Sequence, residues 1–172
     1  MPGVDWNGSG RRGGIFLFIA AFVVVVDQIS KLWVRSHLLP GESFPEVGFL
    51  RLTYVQNTGS AFGLFANQAF LLSLIAIVGL VVILLFYRYL SESNILGNLA
   101  LGLVFGGAVG NLIDRLRLGY VTDFIDVRLW HDFHWPAFNV ADSAITVGTI
   151  ALACFIFLAL KKENGHPSGA RS

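Results

Sequence analysis

Long apolar stretches separated by polar segments dominate the pattern of this chain. Four of these stretches approach the roughly 20 residues that a helix needs to cross the hydrocarbon core of a bilayer. They run over about residues 15–34, 69–89, 95–116 and 140–160. The pattern predicts an α-helical integral membrane protein with four transmembrane helices, forming a single domain over residues 1–172.

The two long connections between these helices, at about residues 36–67 and 117–139, are predicted to be folded. Phe49–Val55 is rich in β-branched and aromatic residues, which indicates a short strand. The second connection contains four aromatic residues: Trp130, Phe133, Trp135 and Phe138. Aromatic side chains of this kind favour the headgroup region of a bilayer. We therefore expect a small extracytoplasmic β-rich platform that lies on the membrane.

Four crossings place both chain ends on the same side of the membrane. The Lys and Arg residues divide evenly between the two sides, so their count alone does not orient the protein. The basic pairs at residues 11–12 and 161–162 flank their helices directly, whereas Lys31 and Arg115 lie inside dense polar motifs. Because basic flanks direct topology, we expect both termini in the cytoplasm.

Composition agrees with a membrane protein and removes several function classes. The chain is 55% hydrophobic and 13% charged, with a mean hydropathy of +0.67, whereas soluble domains are about 25% charged. A formal net charge of +1 gives no reason to expect a nucleic-acid partner. The single cysteine, Cys154, excludes an intrachain disulfide framework and a cysteine metal cluster. No cofactor is predicted.

Polar residues interrupt three of the four predicted helices toward one end. The three sets are Asp27, Ser30 and Lys31; Asn111, Asp114 and Arg115; and Asn139, Asp142, Ser143 and Thr146. Spacings of three and four place the members of each set on one helical face. Hydrogen bonds between helices are one explanation, which stays open for Asn111, Ser143 and Thr146. Asp27 and Lys31 lie one turn apart and can pair, so we expect a structural clamp there.

Glycines recur at a spacing of four in the third predicted helix, at Gly102, Gly106 and Gly110. Small residues at this spacing let another helix backbone approach closely. We favour packing within one chain over a dimer seam, and therefore expect a monomer.

Two aspartates indicate a specific chemistry. Asp142 begins an apolar helix, and an ionisable group at membrane depth costs at least about 2.5–3.5 kcal/mol, which makes it a functional hypothesis by default. Asp123 lies in the segment just before it. Two carboxyl groups that face each other share one proton, because close like charges cannot both ionise. One carboxylate then activates water while the other protonates the carbonyl oxygen or leaving amine. The helix dipole favours Asp142 as the base.

Other catalytic patterns are weak or missing. The chain has no His-Glu-x-x-His, no Gly-x-Ser-x-Gly and no phosphate-binding loop. The segment His131–His134 has a ligand-like spacing but stands alone in an aromatic loop, so no metal site is predicted.

Five sequence blocks carry a family resemblance. They are Asp27–Lys31 (DQISK), Asn57–Phe62 (NTGSAF), Gly106–Arg115 (GGAVGNLIDR), Val121–Phe124 (VTDF) and Phe138–Ser143 (FNVADS). In this order they resemble the lipoprotein signal peptidase (signal peptidase II) family. The blocks extend over nearly the whole chain outside its two tails, and together they are highly specific.

The resemblance implies a bacterial intramembrane aspartic endopeptidase, a multi-pass protein of the cell inner membrane surrounded by membrane lipid. Such enzymes remove signal peptides from diacylglyceryl-modified prolipoproteins by cleaving before the lipidated cysteine, and globomycin-type inhibitors block them. It implies Asp123 and Asp142 as the catalytic pair. The residues implied to shape the site and hold the substrate are Asp27, Asn57, Asn111, Arg115 and Asn139. It gives Lys31 and Asp114 a structural role.

Two other functions stay open at this point. A small proton-coupled carrier would use four aspartates as relay groups: Asp27, Asp114, Asp123 and Asp142. Against it, the polar residues cluster at one end of the predicted bundle, and no inverted repeat is evident. A non-catalytic membrane adaptor would leave the paired aspartates unexplained.

Overall fold

The computed structural model describes residues 6–59, 68–90, 95–130 and 133–164. The helices within these residues are α1 (Trp6–His37), α2 (Gln68–Leu90), α3 (Ile95–Leu118) and α4 (Val140–Asn164). The strands are β1 (Ser43–Phe44), β2 (Leu50–Asn57), β3 (Val121–Trp130) and β4 (Phe133–Phe138). Each predicted apolar stretch lies inside one helix, and α1 extends beyond its stretch at both ends. Residues 60–62 of the second motif and residues 131–132 of the histidine-containing loop lie outside the described residues.

Three helical segments of the described chain are long and apolar enough to cross a membrane: Gly13–His37, Ile95–Leu118 and Val140–Leu158. The apolar part of α2, Ala69–Leu85, is shorter. Large apolar side chains cover the outer surfaces of the helices, among them Leu17, Phe18, Phe22, Ile150 and Phe157. Lipid, unlike water, solvates such surfaces without cost. The fold is therefore mostly helical, with three candidate membrane spans and a small antiparallel sheet.

Helix α3 lies between α1 and α4, and its glycines bring both neighbours close. A Cβ atom at Gly106 would lie 2.7 Å from the carbonyl oxygen of Ala20 on α1. One at Gly107 would lie 2.5 Å from the carbonyl oxygen of Ala141 on α4. These contacts are with backbone atoms, so a side chain at either position forces the helices apart. The glycine spacing of α3 thus serves packing within the chain.

The four described strands form one antiparallel sheet in the order β1-β2-β3-β4. The predicted strand lies within β2 apart from its first residue, Phe49. Strands β3 and β4 had no individual signal in the sequence. Asp123, Asp126 and Arg128 interrupt β3, and charged residues of this kind are unfavourable in strands unless tertiary contacts support them. Pairing with β2 supplies that support, since Val55 lies opposite Asp123 and Arg51 opposite Asp126.

A tight turn connects α3 to β3 and positions the start of the strand. Gly119 has a φ of 80°, in the left-handed region, and its amide donates to the carbonyl oxygen of Arg115 at 3.1 Å. This arrangement ends a helix at a glycine. The Thr122 amide then donates to Asp114 Oδ2 at 2.9 Å. As a result, the first residues of β3 lie against the polar end of α3.

Candidate active site

The polar faces of α1, α3 and α4 meet strands β2 and β3 at one end of the bundle. Seven polar side chains there are at most 5% exposed: Asp27, Lys31, Asn111, Asp114, Thr122, Asp123 and Asn139. Buried polar groups cost free energy unless they find hydrogen-bond partners. Hydrogen bonds and ion pairs join these side chains into one network, which the following contacts define.

Asp123 lies near the start of β3 and accepts an amide hydrogen on each carboxylate oxygen. Asn139 Nδ2 donates to its Oδ1 at 2.7 Å, and Asn57 Nδ2 donates to its Oδ2 at 2.8 Å. Burial raises the pKa of Asp123 to about 6; the hydrogen bond from Asn57 opposes this rise and the negative charge of Asp142 adds to it. A carboxyl group of this kind holds a proton closer to neutral pH than an exposed aspartate does.

Asp142 lies in the first turn of α4, where a capping box holds it. Its Oδ2 accepts from the backbone amide of Asn139 at 3.2 Å, and its own amide donates to Asn139 Oδ1 at 2.9 Å. This reciprocal pattern satisfies two amides at the helix start. Its Oδ1 accepts from Asn111 Nδ2 at 2.8 Å. The start of α4 itself therefore fixes the carboxylate at the positive end of the helix dipole.

Two asparagines direct their side-chain NH₂ groups at Asp123, and hydrogen bonds from backbone amides fix this orientation. A backbone amide can only donate a hydrogen, so the carbonyl oxygen of an asparagine must face it. The amide of Asp142 sets Asn139 in this way, and the amide of Gly59 sets Asn57 at 2.8 Å. The NH₂ groups of both asparagines therefore face the carboxylate. Asn139 links the two predicted catalytic aspartates directly.

Asn111 presents its NH₂ group to Asp142 for a similar reason. Its Oδ1 accepts from Lys31 Nζ at 2.9 Å and from Asn139 Nδ2 at 3.1 Å. An ammonium group has donors only, so Asn111 Oδ1 must face Lys31. The other side of the amide, Nδ2, then points to Asp142.

A buried ion network connects α1 to the other helices. Lys31 Nζ lies 2.9 Å from Asp27 Oδ2 and 3.4 Å from Asp114 Oδ2. Asp27 Oδ1 accepts the Ala141 amide in the first turn of α4 at 2.9 Å. The predicted Asp27–Lys31 pair is thus present and reaches both α3 and α4. Removing one partner of a buried pair costs about 3–5 kcal/mol, because it leaves an uncompensated charge.

Gln28, Arg35 and Thr122 also belong to the network, although sequence reasoning missed them. Gln28 Nε2 donates to Asp114 Oδ1 at 3.3 Å. Arg35 Nη1 donates to Thr122 Oγ1 at 2.8 Å and lies 3.6 Å from Asp114 Oδ1. The spacings of 28, 31 and 35 place these side chains on the face of Lys31, which is a signal that could have identified the two α1 residues. Thr122 takes part through its backbone and hydroxyl, and gave no comparable signal.

Three hydroxyl groups from the polar stripes bond within their own helices. Ser30 Oγ donates to the Asp27 carbonyl at 2.8 Å, Ser143 Oγ to the Asn139 carbonyl at 3.0 Å, and Thr146 Oγ1 to the Asp142 carbonyl at 2.8 Å. These bonds satisfy the hydroxyl groups locally. The hydrogen bonds between helices come instead from carboxylate, amide and ammonium groups.

Arg115 places a positive charge beside the carboxylates, near the end of α3. It is half-buried and interacts electrostatically with Asp142, Asp123 and Asp114. It also lines a cavity of about 290 Å³ between α2 and α3, together with Ala69, Phe70, Ser73, Leu74, Ile77 and Leu116. Its guanidinium can donate hydrogen bonds to carbonyl oxygens at this largely apolar cavity.

Among the residues that the structure describes, no three carboxylate, histidine or cysteine groups are arranged to hold a metal ion. The arrangement is that of two amide-bound carboxylates. Asp123 and Asp142 share Asn139 as a partner. Such a unit can hold one proton and exchange it with water and a bound carbonyl group.

The comparison with known proteins identifies the family. A family model described as signal peptidase (SPase) II matches residues 19–158. The chain belongs to the signal peptidase II family. A lipoprotein signal peptidase of Moorella thermoacetica is 44% identical over 153 residues, covering 88% of this chain and 99% of the relative. One from Syntrophotalea carbinolica is 49% identical over 138 residues, covering 78% and 85% of the two chains.

Two solved structures of bacterial membrane enzymes have a similar fold. A bacterial membrane enzyme solved at 2.3 Å matches with a TM-score of 0.73 and 33% identity, covering 92% of this chain and 95% of the other. A second, solved at 1.9 Å, matches with a TM-score of 0.72 and 36% identity, covering 86% and 92%. The resemblance of the five sequence blocks is therefore confirmed. The protein is a bacterial membrane peptidase by family, and the carrier alternative is not favoured.

The structure brings the predicted site residues to one place. Five of them contact one another directly: Asn57, Asn111, Asp123, Asn139 and Asp142. Asp27 touches the same helix start through the Ala141 amide, and Arg115 lies beside the carboxylates. The catalytic and substrate-binding roles of these residues stay predictions.

Proposed function

We propose that this signal peptidase is an intramembrane aspartic endopeptidase that cleaves diacylglyceryl-modified prolipoproteins before the lipidated cysteine. The observation that carries the proposal is the double role of Asn139. Its side-chain amide binds Asp123 at 2.7 Å, while its carbonyl oxygen and backbone amide cap the helix start that holds Asp142. Two carboxyl groups held by one residue form a single unit that can share a proton.

The environment of each carboxyl group supports different roles in the reaction. Burial raises the pKa of Asp123 to about 6, which makes it the carboxyl that holds the shared proton. Asp142 lies at the positive end of the α4 dipole, a position that suits the base. Asp142 takes a proton from water, the water oxygen bonds to the scissile carbonyl carbon, and Asp123 protonates the carbonyl oxygen. When the tetrahedral intermediate collapses, the carbon–nitrogen bond breaks, Asp142 gives its proton to the leaving amine, and Asp123 takes back a proton from a hydroxyl of the intermediate, which restores both groups.

The accessible polar residues are the ones suited to hold the substrate. Asn57 is exposed and Arg115 half-buried, and both carry donors for peptide carbonyls that lose water near the membrane. Asp27, Asn111 and Asn139 are buried and shape the site from behind. The substrate is itself embedded in membrane lipid, so we propose that it enters laterally between helices.

We also propose that α2 is a fourth crossing and that both termini are cytoplasmic, with the active site at the outer face of the inner membrane. Helix α2 has 23 residues in all, enough to span about 30 Å of hydrocarbon. A reporter fused after Lys162 should read cytoplasmic, and one inserted near Glu42 should read extracytoplasmic. The reverse pair of readings would overturn this orientation.

Cleavage of a defined substrate tests the proposed function. The purified enzyme in lipid should cut a prolipoprotein peptide on the N-terminal side of a diacylglyceryl-modified cysteine. The matched control is the same peptide without the lipid, which should be cut slowly if at all. Equal cleavage of both peptides, or cleavage at another bond, contradicts the proposal.

Inhibitor binding provides an independent test. A globomycin-type lipopeptide should raise the thermal stability of the monomeric enzyme through mass action. A pepsin-type peptide inhibitor without a lipid-like arm should raise it much less, because the cavity beside Arg115 is mostly apolar. Equal effects of the two inhibitors would argue against a lipid-facing substrate groove.

A further inference from the structure

We propose that Lys31 is a positioning residue for the peptidase reaction: it fixes the side-chain amide of Asn111 in the orientation that donates to Asp142. This inference rests on the proposed function, since it assumes that Asp142 is one of the two catalytic carboxyls. It goes beyond the structural clamp that the spacing of Asp27 and Lys31 predicts.

The contacts of Lys31 fix the position of its ammonium group. Its side chain is 0% exposed. Nζ lies 2.9 Å from Asp27 Oδ2, 2.9 Å from Asn111 Oδ1 and 3.4 Å from Asp114 Oδ2. An ammonium group has three hydrogens to donate, and three acceptors surround this one. One of those acceptors belongs to the residue that binds Asp142, so the ion network extends into the site.

The orientation of Asn111 follows from what each neighbour can donate. Lys31 Nζ and Asn139 Nδ2 both present hydrogens to Asn111 Oδ1, at 2.9 and 3.1 Å. On the opposite side, Asp142 Oδ1 accepts from Asn111 Nδ2 at 2.8 Å. A flipped amide would place its NH₂ group against the ammonium and its oxygen against the carboxylate. Both contacts would be repulsive, so the flipped state is excluded while Lys31 is present.

Loss of Lys31 should therefore change turnover rather than substrate affinity. Without the ammonium, the Asn111 amide loses one of the contacts that set its orientation, so its NH₂ group is held less firmly toward Asp142. Lys31 is fully buried, so it does not touch a bound peptide. The expected signature is a lower kcat at nearly constant KM, which is the pattern of an interaction that matters in the transition state.

Arg35 provides a matched control within the same network. It is also a cation on α1, and its described partners are Asp114 Oδ1 at 3.6 Å and Thr122 Oγ1 at 2.8 Å. Arg35→Met removes a positive charge from this network while leaving the contact between Lys31 and Asn111 in place. A general loss of charge or stability should affect both variants, whereas loss of amide orientation should affect only Lys31 variants.

The experiment compares kcat and KM of folded, size-selected enzyme on the diacylglyceryl-modified peptide. Lys31→Met should lower kcat by about 100-fold, in the range found for loss of a single preorganised donor, with KM within about threefold. Lys31→Gln should recover about tenfold of that loss, because its amide can still donate to Asn111. Arg35→Met should lower kcat at least about tenfold less than Lys31→Met does, because the contact between Lys31 and Asn111 stays in place.

Repeating the Lys31 substitution in a protein that lacks the Asn111 side chain tests whether Lys31 acts through Asn111. In an Asn111→Ala protein, adding Lys31→Met should change kcat by less than about threefold, since members of one unit are not additive. A full loss in both backgrounds would show that Lys31 acts independently of Asn111 and would overturn the proposal.

Each remaining outcome also decides the matter. If Lys31→Met, or Lys31→Gln where the former does not fold, turns over as fast as Arg35→Met, Lys31 is structural only. If the wild type fails to cleave the lipidated peptide, or Asp142→Asn retains activity, the proposed function itself fails and the role of Lys31 fails with it. If the wild type is active and Asp142→Asn is inactive, the proposed function holds, and the Lys31 variants then test the role of Lys31 alone.

Discussion

The interface between α1 and α3 has an inner half around Gly106 and an outer half around Gly110, the one next to the polar site. The two halves use the same glycine spacing differently. In the inner half, a Cβ atom at Gly106 would meet the Ala20 carbonyl at 2.7 Å and Val23 Cβ at 2.9 Å. In the outer half, a Cβ atom at Gly110 would meet the Asp27 carboxylate at 2.6 Å. One glycine brings two backbones together, and the other makes room for a charged side chain between them.

The difference shows how a membrane enzyme separates stability from chemistry along one helix pair. Lipid is as apolar as a leucine side chain, so helices in a bilayer gain little from the hydrophobic effect and depend on close packing and hydrogen bonds. The inner half supplies the packing, with Phe16, Ala20 and Val23 buried on α1. The outer half buries Asp27 and Lys31 instead. The close packing of the inner half holds the ionic network of the outer half in position.

The largest expected effect lies in the outer half, at the proposed catalytic pair. Asp123→Asn and Asp142→Asn should each abolish cleavage while leaving the protein folded, because asparagine keeps the shape but cannot exchange the proton. The double variant should be no worse than either single one, since the pair acts as a unit. The measurements are peptide cleavage and size-exclusion profiles in detergent. Retention of more than about a tenth of the activity by either variant contradicts the assignment.

The next effect tests the contrast between the two glycines. Gly106→Ala should lower the free energy of unfolding by about 1–3 kcal/mol, because the Ala20 backbone must move to relieve overpacking. The enzyme that still folds should keep nearly normal kcat. Gly110→Ala should lower the kcat of the folded enzyme as well as its stability, since the Asp27 carboxylate must shift and then loses its contacts with Lys31 and Ala141.

Thermal unfolding and kcat of the folded fraction, measured for both glycine variants, decide this contrast. Similar losses of stability and of turnover in the two proteins would show that the halves are not functionally distinct.

A smaller effect concerns pH. Burial raises the pKa of Asp123 to about 6, so kcat/KM should fall by about tenfold per pH unit above that value as the shared proton is lost. The hydrogen bond from Asn57 stabilises the ionised form and lowers this pKa. Asn57→Ala should therefore move the alkaline limb to higher pH. A limb that moves to lower pH, or stays in place, contradicts this account of Asp123.

The raised pKa of Asp123 also predicts how the stability of the folded protein depends on pH. The pKa of Asp123 is raised in the folded protein from 3.8 to about 6, so the folded state binds the proton more tightly than the unfolded state. The free energy of unfolding should then fall as pH rises through this window. Asp123→Asn removes the titrating group and should flatten that part of the curve, measured by thermal unfolding between those pH values.

The smallest effect is expected at a polar residue outside the network. Thr146 is exposed, and its hydroxyl donates to the Asp142 carbonyl of its own helix at 2.8 Å. Thr146→Ala should change the free energy of unfolding by less than about 0.5 kcal/mol and leave kcat unchanged. A strong loss of turnover would place Thr146 in the site and widen the outer half beyond the residues described here.

The amino-acid sequence by itself determined the helical stretches, the polar end of the bundle and the family. Each of these depends on local spacing: an apolar run long enough for a bilayer, or side chains three and four residues apart on one face. The five blocks also singled out Asp123 and Asp142 before their surroundings were known. Strand β2 was visible in the same way, whereas β3 and β4 were not, because charged residues mask the pattern of β3.

Only the tertiary structure decided which side chains the polar groups contact. Asp27 on α1 accepts the amide of Ala141, 114 residues away, and Lys31 meets Asn111 from 80 residues away. Spacing within a helix places a side chain on a face, but the neighbouring helix determines its partners. Lys31 was predicted as half of a local pair, and its contact with Asn111 exists only because Gly110 and its neighbours bring α1 and α3 close enough for their side chains to meet.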